Sequence, residues 1–328
     1  MSKKCFCPSF RTPLGMNMSK TWESRDIVLL STVIGSLGIL GLSALLQRLQ
    51  QPAAAVVPGS VRRLAEALFS KAGGQGSSST SMHMPTVASP ELREVGAPNI
   101  HDGERQFSDR RLYMQLRVLE IITASTTVGQ FIEDLKKNLA SVPSVLYVDA
   151  SSSTTVALLT WSEDPTMFAV TLNQILGKLS SKFTQRPGWT MFGKTYSNGH
   201  EKDLEEYLFK KPIRNTTRDD YEWAVWYPLR RKGPFYVQPP ADQCRMLLHH
   251  AAIGKSFSDL GAAHDIRLKC FGMDGQDNEY VVGLVGDNLH GLSRVVEEMR
   301  KTKHTAEYID SLGPFFVGKK IWKSPLTV

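Results

Sequence analysis

The chain has 328 residues, 41% hydrophobic and 22% charged, with four cysteines and a formal net charge of +7. Such a composition is that of a globular protein with room for one large or two small domains, and four cysteines exclude a disulfide framework. Cys5-Phe6-Cys7 lacks the second half of a zinc knuckle. The mild positive charge, with no dense Lys/Arg run interleaved with aromatics, suits anionic ligands, an acidic membrane surface or an organelle address, and gives no reason to expect nucleic acid.

Residues 1–26 form a basic leader, followed at 27–46 by twenty residues without a charge. That run is long enough to span a bilayer as a helix. The slight excess of Lys and Arg before it places the N-terminus in the cytoplasm, as a single-pass membrane protein. A cleaved, exported leader and an organelle-targeting leader are the rival readings. Residues 47–108, rich in Pro, Ala, Gly and Ser, read as a flexible linker, with a short helix over Val61 to Lys71.

From residue 109 the pattern becomes regular. A strand is expected over Leu112–Ile122, a helix over Val128–Leu139, strands over Val145–Val148 and Thr154–Trp161, a helix over Pro165–Leu179 capped by Asp164, and a strand over Trp189–Tyr196. The same order then recurs: strand Glu222–Tyr227, helix Pro240–Phe257, strands His264–Phe271 and Tyr280–Val285, helix Asn288–Arg300 capped by Asp287 or Asn288, and strand Phe315–Trp322. The expected fold is therefore α+β: two ferredoxin-like βαββαβ halves, 109–218 and 219–328, closing into a dimeric α+β barrel within one chain.

In the helix Pro240–Phe257, Met246, His250, Ile253 and Phe257 share one face, while His249 is rotated away. A neutral imidazole on an apolar wall can be an axial ligand for haem iron. The bland alternative is a core histidine bonded to a carbonyl.

The C-terminal half resembles the chlorite dismutase family of haem proteins, which includes the coproheme decarboxylases. The resemblance runs through Trp226-Tyr227-Pro228-Leu229-Arg230-Arg231-Lys232, Phe235-Tyr236, His250, Ile253-Gly254-Lys255, Gly272-Met273-Asp274, Glu279-Tyr280, Met299-Arg300, Thr305, Tyr308 and Gly313-Pro314-Phe315-Phe316-Val317-Gly318. It implies haem (haem b or coproheme) as cofactor, with His250 as the proximal metal ligand. It makes Arg231 the residue beside a propionate, with Tyr236 and Thr305 as further cofactor contacts. It makes Tyr227 the redox residue: in the decarboxylases peroxide oxidises the iron, a tyrosyl radical forms, and a propionate loses carbon dioxide to become a vinyl group. Strand packing beside Trp223 and Trp226 is the alternative for Tyr227. In chlorite-splitting members a glutamate near the last helix accepts from the proximal histidine; here the aligned place falls around His304, with Glu297, Glu298 and Glu307 nearby.

The distal residue stays open. In the strand starting at His264, alternation puts Asp265, Arg267 and Lys269 on one face and His264, Ile266, Leu268 and Cys270 on the other. Arg267 is the distal donor if the first face meets the haem, and His264 if the second does. Three functions follow from the resemblance: peroxide-dependent decarboxylation of coproheme, dismutation of chlorite to chloride and dioxygen, or non-catalytic haem binding by a membrane-tethered protein. Family members assemble, so a homo-oligomer is expected. No P-loop or dinucleotide-binding turn is present.

Overall fold

The computed structural model describes residues 89–99, 103–123 and 125–327. The basic leader, the apolar run 27–46 and the helix at 61–71 lie outside them. Among the described residues no helix is long and apolar enough to cross a membrane.

The linker expected to reach residue 108 ends earlier. β1 (Glu94–Pro98) and β2 (Arg105–Ser108) pair as an antiparallel ribbon. Its anchors lie about a hundred residues away. The Val95 amide donates to Ser197 Oγ (2.9 Å), the Ser197 amide donates to Glu94 Oε2 (2.8 Å), and the Ala97 amide donates to the Glu201 carbonyl (2.8 Å).

The first half consists of β3 (Tyr113–Ile121), α1 (Val128–Asn138), β4 (Ser144–Asp149), β5 (Thr155–Ser162), α2 (Leu172–Gly177), the short β6 (Phe183–Gln185) and β7 (Met191–Lys194). α1 begins at Thr127, whose hydroxyl accepts from the Gln130 amide while Gln130 Oε1 accepts from the Thr127 amide, a reciprocal cap. α2 is shorter than expected because Met167–Thr171 winds as a wider π turn before it. α3 (Lys211–Thr217), also entered through a π turn, joins the halves.

The second half consists of β8 (Trp223–Arg231), α4 (Gly233–Tyr236), α5 (Pro240–Asp259), β9 (His264–Lys269), β10 (Tyr280–Gly286), α6 (Leu289–Arg300), α7 (Lys303–Tyr308), β11 (Ile309–Leu312) and β12 (Phe316–Lys323). Asn288, rather than Asp287, caps α6 through Gly291.

Strand pairing runs β8–β10–β9–β7–β3–β5–β4–β12 and returns to β8, all antiparallel, so eight strands close on themselves. The seam between β7 and β9 is a single residue pair, Lys194 opposite Lys269, and the other neighbours pair over four residues or more. One apolar cluster fills the interior with side chains from every strand, including Met114, Leu116, Tyr147, Leu159, Met191, Trp226, Ile266, Leu268, Val281 and Phe316. A second lies outside the first half beneath α1 and α2, and a third outside the second half beneath α5 and α6.

Gly283 is required by a close approach: a Cβ there would stand 2.6 Å from the buried Trp226 indole. Gly283→Ala is expected to lower the denaturation midpoint by an amount equivalent to about 1–3 kcal/mol, the cost of overpacking a filled core. Equilibrium urea unfolding measures it.

Candidate haem site

The two halves treat their helix-facing sheet surfaces differently. α1, with 11 residues, buries Phe131, Ile132 and Leu135. Its counterpart α5 has 20 residues and buries none fully. On α5, Met246, His250, Ile253 and Phe257 are all only half-buried.

Beneath it, register decides which side chains face outward. Tyr227 is opposite Val282, and Val282 is opposite Arg267. Directly paired residues share a face, so these three form one row. The flanking rows are Leu229–Tyr280–Lys269 and Val225–Leu284–Asp265. Tyr227, Val225 and Leu284 pack in the outer cluster with Phe257 of α5. Arg267 therefore lies on the helix-facing surface.

His264 does not. It shares its face with Ile266 and Leu268, which the barrel interior requires. Its ring stacks on Tyr221 (centroids 4.5 Å apart) and its Nδ1 lies 3.1 Å from Ser258 Oγ. The reading of His264 as distal donor is corrected on that ground.

His250 leaves Nδ1 buried with no hydrogen-bond partner, so no carbonyl holds it as in an ordinary core histidine. Burial, aided by the charge of Arg231, lowers its pKa to about 4. Its ring meets that of His304 edge to face at 5.3 Å. His304, on α7, is 4% exposed. Burial, then Arg231, lowers its pKa to about 3. Arg231 Nε donates to His304 Nε2 (3.0 Å) and Nη1 to the Tyr280 hydroxyl (3.0 Å). Its guanidinium also lies over the Phe235 and Tyr280 rings.

Both histidines are neutral when folded and take up protons on unfolding below their ordinary pKa of 6.5. Stability is therefore present above pH 6.5 and lost as pH falls toward 4 and 3. The apo-protein's urea midpoint is expected to drop over that window, and His304→Gln to flatten the drop.

Tyr227 is buried and stacks on Phe315 (4.6 Å). Burial raises its pKa, and Asp265 adds to the effect. Tyr236 is 43% exposed and donates to Glu279 Oε2 (2.5 Å), which also receives the Arg231 amide. Thr305 sits in the cap of α7, its hydroxyl 3.2 Å from Thr302 Oγ1. It is thus engaged locally rather than with the Tyr227–Arg231 group. Asp265 bridges Arg267 (3.0 Å) and Lys211 (2.8 Å). Lys269 lies over Tyr196, which meets Tyr280 edge to face.

Sequence reasoning missed Asp265 as Arg267's partner, and did not single out Tyr196, Lys211 or Tyr207, whose ring lies under the Arg267 guanidinium at 5.4 Å. Lys211 and Tyr207 come from the inter-half segment, where no motif marks them.

The residues fit an iron macrocycle: a helix face of Met246, His250, Ile253 and Phe257 left only half-buried, a neutral imidazole with an orphaned nitrogen, and an arginine for a carboxylate. Among the described residues no three His, Cys, Asp or Glu converge on a bare metal ion. A lone imidazole suits a metal already held by other donors.

The profile of the chlorite dismutase family matches residues 123–321. The chain belongs to that family, whose members are haem-dependent enzymes, and haem is the cofactor that membership brings. Among solved structures it is similar to a haem-binding protein from Thermus thermophilus, at 18% identity and TM-score 0.52, over 65% of this chain and 92% of that one. It is also similar to a variant of chlorite dismutase from Candidatus Nitrospira defluvii in complex with cyanide, at 11% identity and TM-score 0.52, over 67% and 93%. At such identities these likenesses show the fold alone. No curated protein matches by sequence.

Proposed function

We propose that the chain is a haem-dependent oxidoreductase that uses peroxide to decarboxylate coproheme propionates. The observation that carries this reading is the buried Tyr227 in the sheet row beneath the helix that bears His250. His250 would hold the iron, and the Arg231 guanidinium beside it would hold a carboxylate. Tyr236 flanks Arg231 through their shared carboxylate, Glu279.

Bound haem supplies the peroxide-driven oxidising capacity. Tyr227 keeps its proton through the neutral range because burial disfavours the phenolate. It can therefore yield a proton and an electron together while packing holds its ring in place. For each propionate, one peroxide and one proton are consumed, and the side chain becomes a vinyl group with release of carbon dioxide and two waters. The test adds ferric coproporphyrin and peroxide to the purified protein and follows loss of two carboxyl groups by mass.

One observation favours a second reading, chlorite dismutation: Arg267 shares the outward face with Tyr227. A guanidinium there could hold an anionic oxidant, but Asp265 pairs with it. Asp265→Asn is expected to tighten azide binding to the haem-loaded protein about two- to fivefold, the worth of a partly exposed ion pair. Spectral titration with azide measures this. An oxygen electrode tests chlorite turnover in parallel. The membrane anchor at 27–46 and homo-oligomeric assembly belong to the proposal as expectations of the sequence.

A further inference from the structure

We propose that His304 is the positioning residue of the axial histidine and couples it to the carboxylate anchor Arg231. This rests on the assignment of His250 as iron ligand. The two rings are neighbours, and each leaves Nδ1 buried without a hydrogen-bond partner. On its other side His304 Nε2 faces Arg231 Nε at 3.0 Å. Guanidinium nitrogens only donate. His304 Nε2 is therefore the acceptor, and in this neutral ring the proton sits on Nδ1.

A histidine that ligates iron through Nε2 also carries its proton on Nδ1, and that N–H needs an acceptor. With Arg231 on His304, both rings present a donor and neither finds a lone pair. The conflict resolves when Arg231 turns its Nε from His304 to a carboxylate of the bound ligand. His304 can then carry its proton on Nε2, with no change of charge, and its Nδ1 lone pair accepts the His250 N–H. The carboxylates nearby in sequence are engaged elsewhere. Glu297 and Glu298 pair with Arg294 and Lys301, and Glu307 faces Lys303. A neutral imidazole as acceptor orients His250 without the electron donation an anionic partner gives.

The test uses the full chain loaded with ferric haem or with haem dimethyl ester, whose carboxylates are blocked. Resonance Raman of the ferrous forms reads the iron–histidine stretch. Haem is expected to give a higher stretching frequency than the ester, because only free carboxylates draw Arg231 away. His304→Phe should give both porphyrins the same low frequency and weaken haem binding roughly 10- to 100-fold. His304→Glu should raise the frequency with both and lower the iron reduction potential. Equal frequencies for haem and ester in the unaltered protein, or an unchanged band in His304→Phe, would overturn the proposal. If His304→Phe does not fold, the comparison of the two porphyrins in the unaltered protein decides. A missing iron–histidine band in the unaltered haem-loaded protein would instead remove His250 as ligand, and the function proposed above with it.

Discussion

Replacing His250 with alanine is expected to weaken haem binding by more than about 100-fold, since loss of an iron ligand exceeds the 10–100-fold cost of losing the group that orients one. Exogenous imidazole should restore the lost ligation in His250→Gly, because the glycine vacates the volume of the ring it replaces. Apo-protein stability should move the other way. The His250 Nδ1 is buried and unsatisfied, which costs about 1–3 kcal/mol in the absence of a ligand. His250→Leu is thus expected to unfold at a urea concentration no lower than the parent, and higher if leucine fills the space beside Phe257. A histidine retained for packing would show the reverse: lower stability and unchanged haem uptake. Haem titration by absorbance and urea unfolding of the same variants separate the two cases.

The second large effect is on turnover. Tyr227→Phe removes only the hydroxyl, leaving the ring stacked on Phe315. Haem affinity and stability are expected to stay within about threefold and 1 kcal/mol of the parent. Peroxide-dependent loss of coproheme carboxyl groups should fall by about 10²–10⁴-fold, the scale set by losing a positioned proton-transfer group. Product masses from single-turnover reactions measure it. Full-rate decarboxylation by Tyr227→Phe would remove the radical role.

Much of the fold was legible because each half alternates clearly between two-residue and helical periods. Ile266 and Leu268 marked one face of β9 as apolar, although alternation alone could not say whether that face met the barrel interior or a porphyrin. The closed ring of strands settled it: every strand contributes to the same interior cluster, so Arg267 is left outside. The β1–β2 ribbon was illegible because Ser197 and Glu201, which hold it, are remote in sequence. The π turn before α2 left no signal in residue type. The stripe Met246–His250–Ile253–Phe257 was read correctly as one face of a helix, and each of its members is only partly covered. Periodicity shows which way side chains point, whereas how deeply α5 is covered depends on everything packed around it. His304 was reached only as a place in an alignment. Its contact with His250 depends on α7, a six-residue helix capped by Thr302 that was not anticipated.

The histidine doublet offers the most direct test. His249 is exposed and His250 half-buried over the sheet. Resonance Raman of the ferrous, haem-loaded full chain should show an iron–histidine stretch that survives His249→Ala unchanged and disappears in His250→Ala. A band that survives His250→Ala, or vanishes with His249→Ala, would contradict the placement of the iron on this face of α5.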